Sequence, residues 1–365
     1  MTGFALKSEY IPLLGILWPG TRTLLSPLLP TGDQQEQDSI RTVLGPVGLL
    51  DSSGFMIPPC KDAMSILADS SREITADFIR PDNFHTVTKY FPQGPGQAFT
   101  HVMDQTGKGQ GYLELSPQEI IAICDIGDLG SNAAADTADL ALDTAEARVL
   151  AAMLDGERIS VRVAIAGKVN PGDLSITPAV QTRSAVERSL ANAADRPGDL
   201  LFLGLLCNGD NFWQGQDTPP VEEDFSDLIN RGLIRQSGNG YELSEPLLFI
   251  ARRALFTDMA VMAGIRYTAD GGIVRSEQMQ GIRCDGMVFF FISPAGGSDR
   301  VLLKYLPSDK FEGIIQCLFG DPAWSLSRIE VPAAKTKPKA KFCPQCGARI
   351  TEGKIFCKNC GTRAG

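Results

Sequence analysis

Residues 259–293, MAVMAGIRYTADGGIVRSEQMQGIRCDGMVFFFIS, alternate apolar runs with clusters of glycine and aspartate. Branched and aromatic side chains suit pleated, half-buried backbone, whereas Gly, Asp and Asn suit turns. The stretch therefore predicts strands over MAVMAGIRY, GIVRSEQ and MVFFFIS, with turns at TADG and GIRCDG; DRVLLKYL, after PAGGS, makes a fourth strand. Four short strands with tight turns describe an antiparallel meander. A helix, PSDKFEGIIQCLFG, follows Leu306, with Ser308 at the expected N-cap.

The same order occurs once before. ITADFIR, HTVTKYF, AFTHVMD and GYLEL are separated by RPDN, PQGPGQ and QTGKGQG, and SPQEIIAICDIG follows with Ser116 as expected N-cap. Upstream, LLGILWPG and GLLDSSGFMIP of the first copy parallel FLGLLCNG and GLIRQSGNGYELS of the second. Each pair leads into a helix-like segment, PCKDAMSILADSS or PLLFIARRALF, at an offset of about 185 to 189 residues. The expected fold class is α+β: an internally duplicated unit (helix, antiparallel four-strand meander, helix) in a pseudo-twofold arrangement, the two sheets joined or face to face. Between the copies, SNAAADTADLALDTAEARVLAAML predicts an amphipathic helix, RISVRVAIAG a strand and TRSAVERSLANAAD a helix.

The end of the chain has its own chemistry. Cys343, Cys346, Cys357 and Cys360 form C-x2-C-x10-C-x2-C, two thiolate pairs at zinc-ligand spacing. The pairs repeat each other: Phe342 and Phe356 precede them, and Gly347 and Gly361 follow, where a metal knuckle needs a sharp turn. This is similar to the zinc-ribbon modules at the termini of many bacterial and archaeal proteins. It implies one structural Zn2+ with all four positions filled by sulfur, so no water is held for catalysis. About twenty residues cannot bury a core, so metal binding must supply their folding energy. The expected organisation is a first repeat over 1–130, a connecting region over 131–200, a second repeat over 201–330, a Lys/Pro/Ala linker over 331–341 and a zinc ribbon over 342–365.

Charge is unevenly spread. From Pro332 onward there are eight basic residues and one acid, a net of +7, so the rest of the chain carries −9 − 7 = −16. The basic tail could touch nucleic acid or an acidic protein surface, or serve only as a solvated tether. YIPLLGILWPGTRTLLSPLLP is interrupted by Pro19, Gly20 and Arg22 and lacks a basic leader, which argues against a membrane span or signal peptide. A cytoplasmic location is expected, with Cys60, Cys124, Cys207, Cys284 and Cys317 as reduced, mostly buried thiols.

No enzymatic motif stands out. His85 and His101 fall in neighbouring first-copy strands without a nucleophile motif, and GKGQG (107–111) lacks the Ser or Thr and the upstream glycine of a phosphate loop. Phe212 and Trp213, in the polar loop NGDNFWQGQD, are candidate partner contacts. The duplicated layout, with GLI-x-x-x-G-x-Y-x-L-S, a helix, a meander and a helix opening on Leu-Pro-Ser-Asp, resembles the EspG-like proteins. These are cytosolic chaperones of type VII secretion with a quasi-twofold α+β fold, and the resemblance implies a non-enzymatic binder of secreted helical hairpins. The expected function is a protein-binding scaffold or secretion-chaperone-like protein with the ribbon as second contact. The alternative rests on DFSDLINRGLIRQSGNGYELSEP, which resembles the closing helix and wing of a winged helix: a nucleic-acid-associated regulator using the basic tail.

Overall fold

In the computed structural model, residues 4–126, 138–167, 177–195, 200–207, 220–269, 272–284, 286–293 and 300–329 are described. The frame is one antiparallel sheet. The first meander comprises β2 (Ser70–Ile79), β3 (Phe84–Pro92), β4 (Phe99–Asp104) and β5 (Gly109–Leu113), and a short β1 (Ala5–Lys7) lies outside β5. The second comprises β9 (Thr257–Ala269), β10 (Ile273–Cys284), β11 (Met287–Ser293) and β12 (Arg300–Pro307), and β6 (Ala138–Asp143) lies outside β12. The strand order is β1-β5-β4-β3-β2-β9-β10-β11-β12-β6.

The two meanders join through β2 and β9. Thr75 faces Gly264, with Ile74 opposite Ile265 and Ala76 opposite Ala263. Side chains alternate across the sheet, so the register assigns each residue to a face. On the first face Ile74, Ala76, Phe78, Val261, Ala263 and Ile265 are buried. Two helices associate on this face, α4 (Pro117–Ile123) and α10 (Ser308–Gly320), and the Phe290 and Phe311 rings meet at 5.8 Å. After α10 the chain returns across the sheet. Buried Glu277 accepts hydrogen bonds from Ser325 Oγ (2.7 Å) and Leu326 N (2.6 Å), and Arg72 donates to the Trp324 carbonyl.

The second face is covered in two separate places. Over the first meander lie α1 (Tyr10–Leu17), α2 (Gln34–Leu44) and α3 (Pro58–Ala68), whose core includes Leu14, Leu44, Met64, Leu67 and the strand residue Phe99. Over the second lie α5 (Thr144–Ala166), α6 (Arg183–Asp195), α7 (Leu201–Cys207), α8 (Glu222–Asn230) and α9 (Glu245–Arg253), packed on Ile282, Phe289, Phe291, Leu303 and Tyr305. A hairpin of β7 (Ile234–Ser237) and β8 (Gly240–Leu243) joins α8 to α9.

Local chemistry explains where the structure departs from expectation. The run expected to be helical from residue 131 includes β6 over Ala138–Asp143, and the helix begins only at Thr144. Asp143 and Glu146 form a capping box there: Asp143 Oδ1 accepts from Glu146 N (2.8 Å), and Glu146 Oε2 from Asp143 N (2.9 Å). RISVRVAIAG is not a strand but the last part of α5, which continues through Gly156 to the C-cap Gly167. Its alternation places Ile159, Val163 and Ile165 in solvent while Val161 is buried. GIRCDG is not all turn: β10 runs to Cys284, and Gly281 is an in-strand position where a Cβ would meet Phe289 O at 2.5 Å. Ser116 caps α4 as expected, accepting from Glu119 N (3.3 Å), whereas Ser308 is the first residue of α10 behind Pro307 and its hydroxyl has no partner among the described residues. Within residues 131–200, β6, α5 and α6 all pack with the second meander.

Buried Lys89 gives the fold a pH signature. Its ammonium donates to Leu115 O (3.1 Å) and lies 5.5 Å from the Phe91 ring centroid, and burial pushes its pKa down from 10.5 to about 8. Between those values the unfolded chain holds the proton that the folded protein has released, so stability rises with pH. Denaturant unfolding should show Lys89→Met losing a rise of about 2 kcal/mol between pH 8 and 10 that the wild type displays.

Candidate metal centre and central trough

Between the two helical groups of the second face a polar strip remains partly open. Glu73 and Thr75 of β2, Gly264 and Arg266 of β9, and Ser276 and Gln278 of β10 line a depression of about 260 Å3. Glu73 and Arg266 form an ion pair at 3.3 Å, with side-chain exposures of 16% and 54%. Glu73 also accepts a long hydrogen bond from Thr75 Oγ1 (3.3 Å), and the buried Gln278 Oε1 has no partner among the described residues. Gly264 opens the site. Among the described glycines of positive φ it is not included, and a Cβ built on it would meet only Glu277 O, at 3.9 Å. Its backbone thus demands no glycine, and mid-strand glycine is ordinarily unfavourable. The missing side chain leaves space above the centre of the sheet.

The sheet edges are less available. β1 is only three residues long. On β6, Arg231 donates to Ala141 O (2.6 Å) and pairs with Glu146 (2.6 Å), while Asp143 N is committed to Glu146. Short strands and occupied outward-facing groups oppose pairing with another strand.

The histidines do not meet. His85 shares the first face with Lys89, whereas His101, opposite Thr88, shares the second with Thr75. His101 contacts the Ser8 hydroxyl and burial lowers its pKa; His85 Nε2 lies 2.8 Å from Asn83 Nδ2. GKGQG belongs to the β4–β5 turn, where Asp104 Oδ1 accepts from Thr106 N (2.8 Å) and Lys108 N (3.2 Å). Asp155, fully buried, has its pKa raised by desolvation; its carboxylate accepts from Leu201 N and Leu203 N, both at 2.9 Å, at the start of α7. It braces a helix rather than facing a cleft.

Cys60, Cys124 and Cys284 are buried, with burial pushing the thiol pKa up to about 11 for Cys60 and about 12 for Cys124. Cys317 is the exception among the described cysteines, lying exposed on α10. Among the described residues no cluster of His, Cys, Asp or Glu could hold a metal, and no helix is long and apolar enough to cross a membrane. Phe212 and Trp213 lie outside the described residues, as do Phe342, Cys343, Cys346, Gly347, Phe356, Cys357, Cys360 and Gly361.

Since the Gly264 backbone is unstrained and space is available, Gly264→Ala should raise unfolding stability by about 0.5–1 kcal/mol in urea melts.

Residues 338–363 match the family model of the zinc-ribbon domain. No curated protein matches the chain. The match contains all four terminal cysteines, a donor set that suits a closed tetrahedral zinc site. Metal analysis should find one zinc per chain, and Cys357→Ser should abolish it while leaving the thermal transition of residues 1–330 unchanged.

Proposed function

We propose that this protein is a non-enzymatic protein-binding scaffold. The body recognises another polypeptide through the trough between its two helical groups, and the ribbon, with Zn2+ on Cys343, Cys346, Cys357 and Cys360, adds a second contact. The zinc supplies folding energy to the ribbon, and Gly347 and Gly361 turn the chain around it. The observation that carries the reading is the open polar strip at the centre of a sheet whose edges are short or occupied. It favours docking in a groove over strand addition.

The two halves are read as a duplication about a pseudo-twofold axis. The offset supports this: Thr75 and Gly264, opposite each other at the junction, are 264 − 75 = 189 residues apart, which exchanges Ile74 with Ala263 and Ala76 with Ile265. Such an arrangement is compatible with an EspG-like, secretion-chaperone role, and with a cytoplasmic site of action. A nucleic-acid role would depend on the basic tail. α8 opens with Glu222, Glu223 and Asp224, and the two arginines that follow it are engaged, Arg231 with Glu146 and Arg235 with Glu242.

Affinity capture at moderate salt with nuclease present tests the reading, using the full chain and a chain ending at Glu330. The expected result is one discrete protein retained by both. Retention of nothing by the short chain, with nucleic acid held only by the full chain when nuclease is omitted, would overturn it and make the tail the working part.

A further inference from the structure

The depression above Gly264 has more specific chemistry than a general groove. Its second-face walls are rich in acceptors: the Glu73 carboxylate, Gln278 Oε1, which has no partner among the described residues, and the hydroxyls of Thr75 and Ser276. Arg266 is the one cation among its described lining residues, and its side chain is half-exposed where it pairs with Glu73. Gly264 lets an incoming main chain come into contact with the sheet. Outside the tail the chain carries −16, so its field favours a positively charged visitor.

We infer that this depression binds an extended segment of a partner polypeptide, its main chain passing over Gly264 and a lysine or arginine side chain reaching Glu73 and Gln278. The inference rests on the protein-binding reading and narrows it to one site and one charge. In the complex the partner's cation replaces Arg266 as the counter-ion of Glu73 and donates to Gln278 Oε1. The segment's peptide groups exchange hydrogen bonds with the hydroxyls of Thr75 and Ser276. Filling the space above Gly264 blocks the approach without touching either hydrophobic core.

A random peptide library displayed on phage, selected on the zinc-loaded full chain, supplies the probes. Enriched peptides should carry Lys or Arg, and their affinity, read by fluorescence anisotropy, should fall as salt is raised. Gly264→Leu should weaken them about tenfold or more, and Glu73→Gln, which keeps the shape and removes the charge, by a similar factor. Circular dichroism of both variants checks that the fold is retained, and Glu73→Gln carries the test if Gly264→Leu does not fold. Peptides that bind both variants as tightly as wild type overturn this site but leave a protein-binding body. Enrichment of acidic or purely apolar peptides overturns the charge assignment. If no peptide is enriched while an intact protein is still captured by the body, the extended-segment inference alone falls. Absence of both peptides and captured protein removes the scaffold reading itself.

Discussion

The antiparallel pairing of β2 with β9 makes one sheet out of two meanders. Eight residue pairs, from Arg72–Tyr267 to Ile79–Ala260, form the seam. Cross-strand pairs reinforce it: Glu73 with Arg266, and the Arg72 guanidinium 5.8 Å from the Tyr267 ring centroid. Because side chains alternate, register at this seam also decides which residues meet α4 and α10 and which face the trough. A slip of β9 by one residue against β2 would turn Val261, Ala263 and Ile265 toward the polar side, so burial of the first face enforces the register.

The helices complete the two faces differently. α4 and α10 come together on the first face, each following the last strand of its meander, and the segment after α10 is held by Glu277 and Arg72. On the second face the helical groups stay with their own meanders. Their cores contain Phe99 on one side and Ile282, Phe289 and Phe291 on the other, leaving the central strip to hydroxyls, amides and one ion pair. A polar floor between apolar supports can exchange solvent for a hydrogen-bonding ligand without disturbing the core.

Much of this was legible in the sequence where the signal is local. The meander strands follow from branched and aromatic runs between Gly, Asp and Asn, and Ser116-x-x-Glu119 marks a helix start. Asp143-x-x-Glu146 carried the same signal, but the alanine-rich run before it masked the entry into α5, and Ile159, Val161 and Val163 imitated a strand within it. The seam had no local signature, since pairing of distant strands depends on the whole hydrophobic pattern. The trough was not legible, because Gly264 inside MAVMAGIRY carries no local signal that separates an open site from a bulge or bend. The cysteine spacing announced the zinc-ribbon chemistry because metal-ligand geometry is written in short intervals.

The distance along the chain between the seam's two strands has a consequence for biosynthesis. Thr75 leaves the ribosome 189 residues ahead of Gly264. At roughly 5–20 residues per second, β2 waits about 10–40 s for its neighbour. Throughout that interval the nascent first half presents a ten-residue strand with an open row of backbone donors and acceptors. The strand that becomes the centre of the finished sheet is thus its exposed margin during translation, when pairing with a neighbouring nascent chain competes with completion of the fold.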